Sequence, residues 1–234
     1  MKNSYLIYGK HSALAALENK NRKITEILCS KDFFYEHKVK VEKYQFKITD
    51  NKELNKLLPN ILHQGIAVRA QPVTIYDLKE LDFSDPNYKI AILDQITDSH
   101  NIGAIIRSAA AFNINTIILT SNNSPDENGV IAKTACGGLE IVSLVKAINL
   151  QSTITYLKKH GFWVIGMDGD TDTIISHQIL EGKTCLVLGS EGEGMRQLTR
   201  KNCDIIAKIP ISSKMESLNV STAAAIAFFE MSKK

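Results

Sequence analysis

Three stretches of the 234-residue chain hold residue types that could do chemistry, and each adjoins a short apolar run. The first is LDQITDSHNIGAIIRSAAAF (93–112), where Ile102, Ile105, Ile106, Ala109 and Ala110 recur at helical spacing and form one stripe that packs on a sheet. Arg107 falls beside that stripe, and Gly103 lies one turn before it on the same face. A glycine inside a helix costs about 1 kcal/mol against alanine, which calls for a compensating close approach of ligand or backbone. On this stretch alone, an N-cap at Asn101 and a solvated surface arginine at 107 are the more economical reading. The second stretch is CLVLGSEGEGMRQL (185–198), in which a strand runs into Gly189, Gly192 and Gly194 before a helix. It resembles a dinucleotide fingerprint, yet it is not G-x-G-x-x-G and comes late in the sheet rather than in a first βαβ unit. Glu191 and Glu193 would repel a pyrophosphate. Carboxylates on a glycine loop suit a ligand with a cationic centre and exposed hydroxyls, and a plain tight turn accounts for the glycines as well. The third is AKIPISSKMESLNVSTAAAIAFFE (207–230): a strand ending at Pro210, a polar loop, then a helix of small residues from Ser221 to Ala225. Small side chains let backbones approach closely, whether those of another helix or of a partner subunit. An ordinary alanine-rich helix explains the small residues but not the polar lead-in SSKMESLN.

These residues need elements to aim them. KIAILD (89–94), NTIILT (115–120), FWVIGMD (162–168), TCLVLGS (184–190) and CDIIAKIP (203–210) are unalternated apolar runs, as expected of strands buried on both faces of a parallel sheet. Helical stretches fall between them at 101–112, about 126–136, 150–160 and 195–201, and a last helix is predicted over 218–231. The alternation predicts an α/β class fold, an open and mostly parallel sheet with helices on both faces. Ligands of such sheets bind outside the carboxyl ends of the strands, where all three stretches lie.

The first 70 residues read differently. An amphipathic helix within 4–18 puts Ala13, Leu14, Ala16 and Leu17 inward, and short strands are predicted at 24–30, 44–50 and 65–70, with a helix over 51–60 stopped by Pro59. The expected organisation is a small α/β domain over 1–72, a linker over 73–88 rich in Pro, Asp and Lys, and a larger domain over 89–234. Residues 1–70 hold 13 Lys+Arg against 7 Asp+Glu, whereas the remainder holds 15 against 18, so the net charge of +3 conceals a basic first third. Such a split suggests a polyanion-binding module, and an ordinary lysine-rich surface accounts for it equally well.

Composition narrows the remaining classes. The hydrophobic fraction of 44% and charged fraction of 23% are those of a soluble globular protein, no run is long enough to span a bilayer, and MKNSYLIYGKH lacks the core of a signal peptide. A cytoplasmic location is the expectation. Cys29, Cys136, Cys185 and Cys203 form no C-x-x-C pair, and the six histidines are scattered, so no metal site is expected.

Taken together and in this order, the three stretches resemble the SpoU (TrmH-like) family of RNA ribose methyltransferases. The residues that carry the likeness are Asn101, Gly103 and Arg107 in NIGAIIR, then LGSEGEGM, then IPISSKMESLNVSTAAAI, with AKTACGGLE (132–140) and GFWVIGMDG (161–169) between them. YGKHSALAALE and LHQGIAVRA are similar to the small RNA-binding domain of the branch that methylates a guanosine of large-subunit, 23S, ribosomal RNA. The resemblance implies transfer of a methyl group from S-adenosylmethionine to a ribose 2′-hydroxyl, a homodimer, no metal, and a deep C-terminal trefoil knot of a kind that periodicity cannot reveal. It places the donor on Gly189, Ile209 and Leu218, with Gly192, Gly166 and Met167 in the same pocket. Arg107 falls at the centre of the reaction. A guanidinium stays protonated and is a poor base, so Arg107 is expected to clamp the substrate phosphate, with a phosphate oxygen helping to take the proton. Asn101, Glu191 and Asn219 would orient Arg107, the ribose and the donor. A tRNA methyltransferase of the same family, a non-catalytic RNA-binding protein with this fold, and a Rossmann-type dehydrogenase or nucleotide-sugar enzyme are the alternatives. The last lacks an early glycine fingerprint followed by an acidic residue.

Overall fold

Every apolar run from residue 89 onward becomes a strand, because only neighbours on both sides of a sheet can cover such unalternated surface. In chain order the elements of the computed structural model, which describes residues 4–233, are β1 (Tyr5–Tyr8), α1 (Lys10–Glu18), β2 (Ile24–Cys29), α2 (Lys31–Val41), β3 (Phe46–Ile48), α3 (Asn51–Leu57), β4 (Ile66–Ala70), β5 (Ile75–Tyr76), β6 (Lys89–Asp94), α4 (Ser99–Ala111), β7 (Thr116–Thr120), α5 (Gly129–Ala135), β8 (Ser143–Ala147), α6 (Leu150–Lys159), β9 (Trp163–Met167), β10 (Thr184–Gly189), α7 (Gln197–Asn202), β11 (Ile205–Ala207) and α8 (Val220–Ser232). They form two compact units. One takes the chain up to Thr74 together with Asp126–Ile141, and the other takes Ile75–Pro125 with Val142–Lys234.

The larger unit is built on a seven-stranded sheet of order β11-β9-β10-β6-β7-β8-β5, parallel at every pairing. The central strands β6, β7 and β10 are buried almost throughout. One core cluster joins Ile90, Ile92, Ile118 and Val187 of the sheet to Ile154 and Leu157 of α6. The stripe read from the sequence is real: Ile102, Ile105, Ile106 and Ala109 of α4 are all fully buried, each isoleucine contributing about 2 kcal/mol by leaving water. Helix α4 packs against α8, whose buried residues Ala224, Ala227 and Phe228 include the small ones that permit the approach. Register sets the geometry that matters below, since β6 and β10 end together with Asp94 beside Gly189.

Several features depart from the sequence reading. Residues 73–88 are more than a linker, because β5 extends the sheet beside β8, and Phe83 and Tyr88 are buried in the core with Phe162. Strand β8 was not expected at all. Residues 126–141, expected within the larger domain, cluster instead with the basic unit.

The smaller unit carries a sheet of order β1-β4-β2-β3, with β4 antiparallel to both its neighbours and β2 parallel to β3. Its α5 packs on β1 and α1, and Ser12 Oγ donates to the Ala132 carbonyl at 2.9 Å. A buried charge cluster holds the discontinuous segment. The Arg22 guanidinium lies 2.7 Å from Glu127 Oε1 and 3.5 Å from Glu140 Oε1, and the three side chains are 0%, 5% and 7% exposed. Tyr5 Oη donates to Glu127 and accepts from Arg22, while Asn19 Nδ2 donates to Glu140. Burial, with the nearby Glu127 carboxylate, pushes the Tyr5 phenol far above its ordinary range.

Candidate active site

The loop after β10 is the keystone. Gly189 must be glycine because a Cβ there would lie 2.2 Å from the Gly194 carbonyl carbon and 2.3 Å from the Met195 nitrogen. The loop's own backbone crowds this position. Ser190 and Gly194 exchange backbone hydrogen bonds of 3.1 and 3.0 Å, and Gly192 and Gly194 turn the chain at φ of 85° and 67°, conformations that favour glycine. Beneath the turn, Asp94 is fully buried at the end of β6. It accepts from the Arg196 backbone N–H at 3.1 Å and from Arg196 Nε at 2.8 Å, so the far end of the loop is pinned to the adjacent strand.

So anchored, the loop presents Glu191 to two helix starts. Asp98, not Asn101, caps α4 by accepting from the backbone N–H groups of His100 and Asn101, which corrects the N-cap reading and releases the Asn101 side chain. Asn101 Nδ2 donates to Glu191 Oε1 at 3.1 Å. Asn219 caps α8, its Oδ1 accepting from Ser221 and Thr222, and this turns its amide nitrogen toward Asn101 Oδ1 at 2.9 Å and Glu191 Oε1 at 2.5 Å. The Val220 N–H completes the set on Glu191 Oε1 at 3.2 Å. Residues 101, 191 and 219, one from each motif, thus form a single hydrogen-bonded cluster.

Beside the cluster lies a cavity of about 380 Å³, within the size range of small-molecule sites. Met167, Gly189, Gly192, Ile209 and Leu218 line it, as does Glu191. Asp168, Glu193 and Glu216 face it as well, against Lys208, so carboxylates outnumber cations around it. That imbalance favours a ligand with positive charge. Two expected residues stand apart. Gly166 is not in the lining; it sits within β9, where a Cβ would meet Met195 Cε at 2.7 Å and Cys203 Sγ at 2.9 Å, so it serves packing. Arg107 is exposed on α4, outside the cavity lining, and no described residue bonds to its guanidinium. The sequence reading missed Asp94, Asp98 and Arg196. A carboxylate closing an otherwise apolar strand was the available signal for Asp94.

Comparison with known proteins identifies relatives of the chain. The model of the SpoU rRNA methylase family matches residues 89–229, and that for RNA 2′-O ribose methyltransferase substrate binding matches residues 6–76. The chain is 34% identical over 236 residues to the 23S rRNA (guanosine-2′-O-)-methyltransferase RlmB of Escherichia coli strain K12, covering 97% of each protein. It is 31% identical to RlmB of Xylella fastidiosa, covering 98% of this chain and 96% of that one. Among solved structures, the SpoU methyltransferase AviRb from Streptomyces viridochromogenes in complex with the cofactor AdoMet superposes with a TM-score of 0.82 at 18% identity, over 98% of this chain and 89% of that one.

Proposed function

The chain belongs to the SpoU rRNA methylase family, and from that premise we propose that it transfers a methyl group from S-adenosylmethionine to the ribose 2′-hydroxyl of a guanosine in 23S ribosomal RNA. The observation that carries the reading is the Asn101–Glu191–Asn219 cluster at the rim of a carboxylate-lined cavity. The cavity fits the donor chemically: Gly189, Gly192, Met167, Ile209 and Leu218 supply apolar surface and backbone groups, and the surrounding carboxylates favour a sulfonium charge. When bound, the donor supplies an electrophilic methyl group.

The residues of this chain have the remaining work. A ribose hydroxyl is too weak an acid to ionise at neutral pH, so alignment and proton removal decide the rate. Asn101 and Asn219 hold the Glu191 carboxylate through Oε1, fixing the rim against which the ribose aligns. Arg107 clamps the phosphate of the target nucleotide as a two-pronged donor, and a phosphate oxygen takes up the hydroxyl proton. The smaller, basic unit binds the RNA. The C-terminal segment threads a trefoil knot around the donor pocket, and the enzyme works as a cytoplasmic homodimer. Ile226 and Phe229, exposed on α8, are candidates for the subunit junction.

Incubation with methyl-labelled S-adenosylmethionine and 23S rRNA, followed by nucleoside analysis, tests the proposal. Label in 2′-O-methylguanosine is expected. Label on a base, in tRNA alone, or nowhere would overturn it.

A further inference from the structure

The smaller unit holds a concavity that methyl transfer does not use. It is a groove of about 500 Å³, within the size range of small-molecule sites, and Lys10, Phe33, Asn51, Asn55, Leu62 and Gln64 are among its walls. Its one lysine is already matched: Lys10 Nζ pairs with Glu36, which also faces the groove together with Asp32. A phosphate would therefore find carboxylates and no spare cation. What the groove offers is amide heads over apolar surface. His63, nearly buried, accepts the Gly65 N–H on Nδ1 at 3.1 Å, so its Nε2–H donates to Asn55 Oδ1 at 3.0 Å. That bond takes the oxygen of Asn55, an exposed side chain in the groove lining, and leaves its amide nitrogen as a donor. Asn51 brings a second amide from the start of α3.

The loop that forms one wall is held in an unusual shape. Asn60, Gln64 and Gly65 all have left-handed φ, of 58°, 56° and 78°. Gln64 is fixed by accepting from the Lys10 N–H and from Lys133 Nζ, both at 3.0 Å. The result is to project Leu62 into solvent at 74% exposure beside the groove.

We propose that this groove receives one unpaired nucleobase of the RNA substrate, packed on Leu62 and read along its edge by Asn51 and Asn55. The choice of RNA as occupant rests on the methyltransferase reading above and on the substrate-binding family match over residues 6–76; the place and the base-directed chemistry rest on the groove itself. A base stacked within a duplex cannot enter such a recess, so a loop, bulge or flipped nucleotide is required. Amides pair with base edges, and an apolar side chain packs against a base face regardless of charge.

The test uses the full-length protein, its Leu62→Ala and Asn51→Ala variants, and transcribed 23S rRNA, with binding read by filter retention so that it does not depend on methyl transfer. Each variant is expected to weaken RNA binding and raise KM for rRNA about tenfold, with kcat and affinity for S-adenosylmethionine unchanged. The slope of log affinity against log salt should match that of the unmodified protein, because no phosphate contact is lost. Wild-type RNA affinity in both variants would overturn the proposal, and so would a salt slope reduced by about one unit, which marks a phosphate contact. If the unmodified protein binds rRNA but does not methylate it, the reaction assigned above fails while the groove is still judged by these affinities.

Discussion

Each unit joins residues distant in sequence through a glutamate, and the two clusters differ in their access to water. In the smaller unit, Arg22, Glu127, Glu140 and Tyr5 meet out of solvent. In the larger, Asn101, Glu191 and Asn219 meet at an exposed rim beside a cavity. The buried cluster even leaves Arg22 Nε and Nη1 without hydrogen-bond partners. Sealed charges of this kind can serve only the architecture, whereas a satisfied but accessible cluster can meet a ligand. Arg107 belongs to neither, being held by no described residue, and in the proposed mechanism its position is set by the RNA it grips. On that proposal the donor side of the site is preorganised and the substrate side is completed by the substrate.

The sharpest way to break this comparison is to remove Arg22. Arg22→Ala would strand two buried carboxylates, and the expected loss of stability is about 3 kcal/mol, read from denaturant midpoints. The pH dependence has a definite sign. Burial raises the Glu140 carboxyl above its unfolded value of 4.5, while Arg22 opposes that shift. Without Arg22 the folded value rises further, so the folded variant binds protons more readily than the unfolded chain. The deficit should therefore be largest at neutral pH and shrink as pH falls through the raised folded value toward 4.5. A deficit independent of pH would place the cost outside the cluster. The same contacts argue against a chain starting near residue 73 folding alone, since residues 126–141 would lose α1, β1 and Arg22 together.

Catalysis should show an effect at least as large. Arg107→Ala should lower methyl transfer to rRNA by about 10³-fold, the scale of losing a group aimed at the transition state, while thermal stability and donor affinity stay as they are. Arg107→Lys should recover little, because an ammonium cannot reproduce a two-pronged clamp. A destabilised Arg107→Ala protein would mean that the arginine is structural after all.

How far the sequence could be read follows the same division between local and distant. The strands at 89–94, 116–120 and 184–189 were legible because an unalternated apolar run has one physical use. Strand β8 was not, since SLVKA interrupts its apolar residues with Ser143 and Lys146. Helix α2 was missed for a related reason: Glu36, His37, Lys38 and Lys40 interrupt its apolar residues, and His37 departs from helical geometry at φ −124°. The motif residues were found, but the sequence did not show that a Cβ at Gly189, which lines the cavity, would also meet Gly194 of the same loop. The Asp94–Arg196 anchor spans 102 positions, and no local pattern signals it.

That anchor supplies an intermediate effect. Asp94→Asn keeps an acceptor for the Arg196 N–H but removes the charge opposite Arg196, whose side chain is 46% exposed. The partial exposure limits the loss of stability to about 1–2 kcal/mol. Donor affinity should fall about tenfold as the 190–196 loop loosens, with kcat at saturating donor less affected. Unchanged affinity in calorimetry would show that the glycine turn holds itself without Asp94.

The smallest expected effect tests the exposed cluster most directly. Glu191→Gln keeps an oxygen that can accept from Asn101, Asn219 and the Val220 N–H, so the rim geometry should survive. Only the charge is lost. If the carboxylates around the cavity act by attracting a cationic ligand, affinity for S-adenosylmethionine should fall a few-fold, as expected for one partly solvated charge. Affinity for the neutral thioether left after methyl transfer should hardly change. Measuring both by calorimetry separates charge from shape. An equal loss for the two ligands would mean that Glu191 acts through the hydrogen-bonded scaffold, and the exposed cluster would then resemble the buried one in kind.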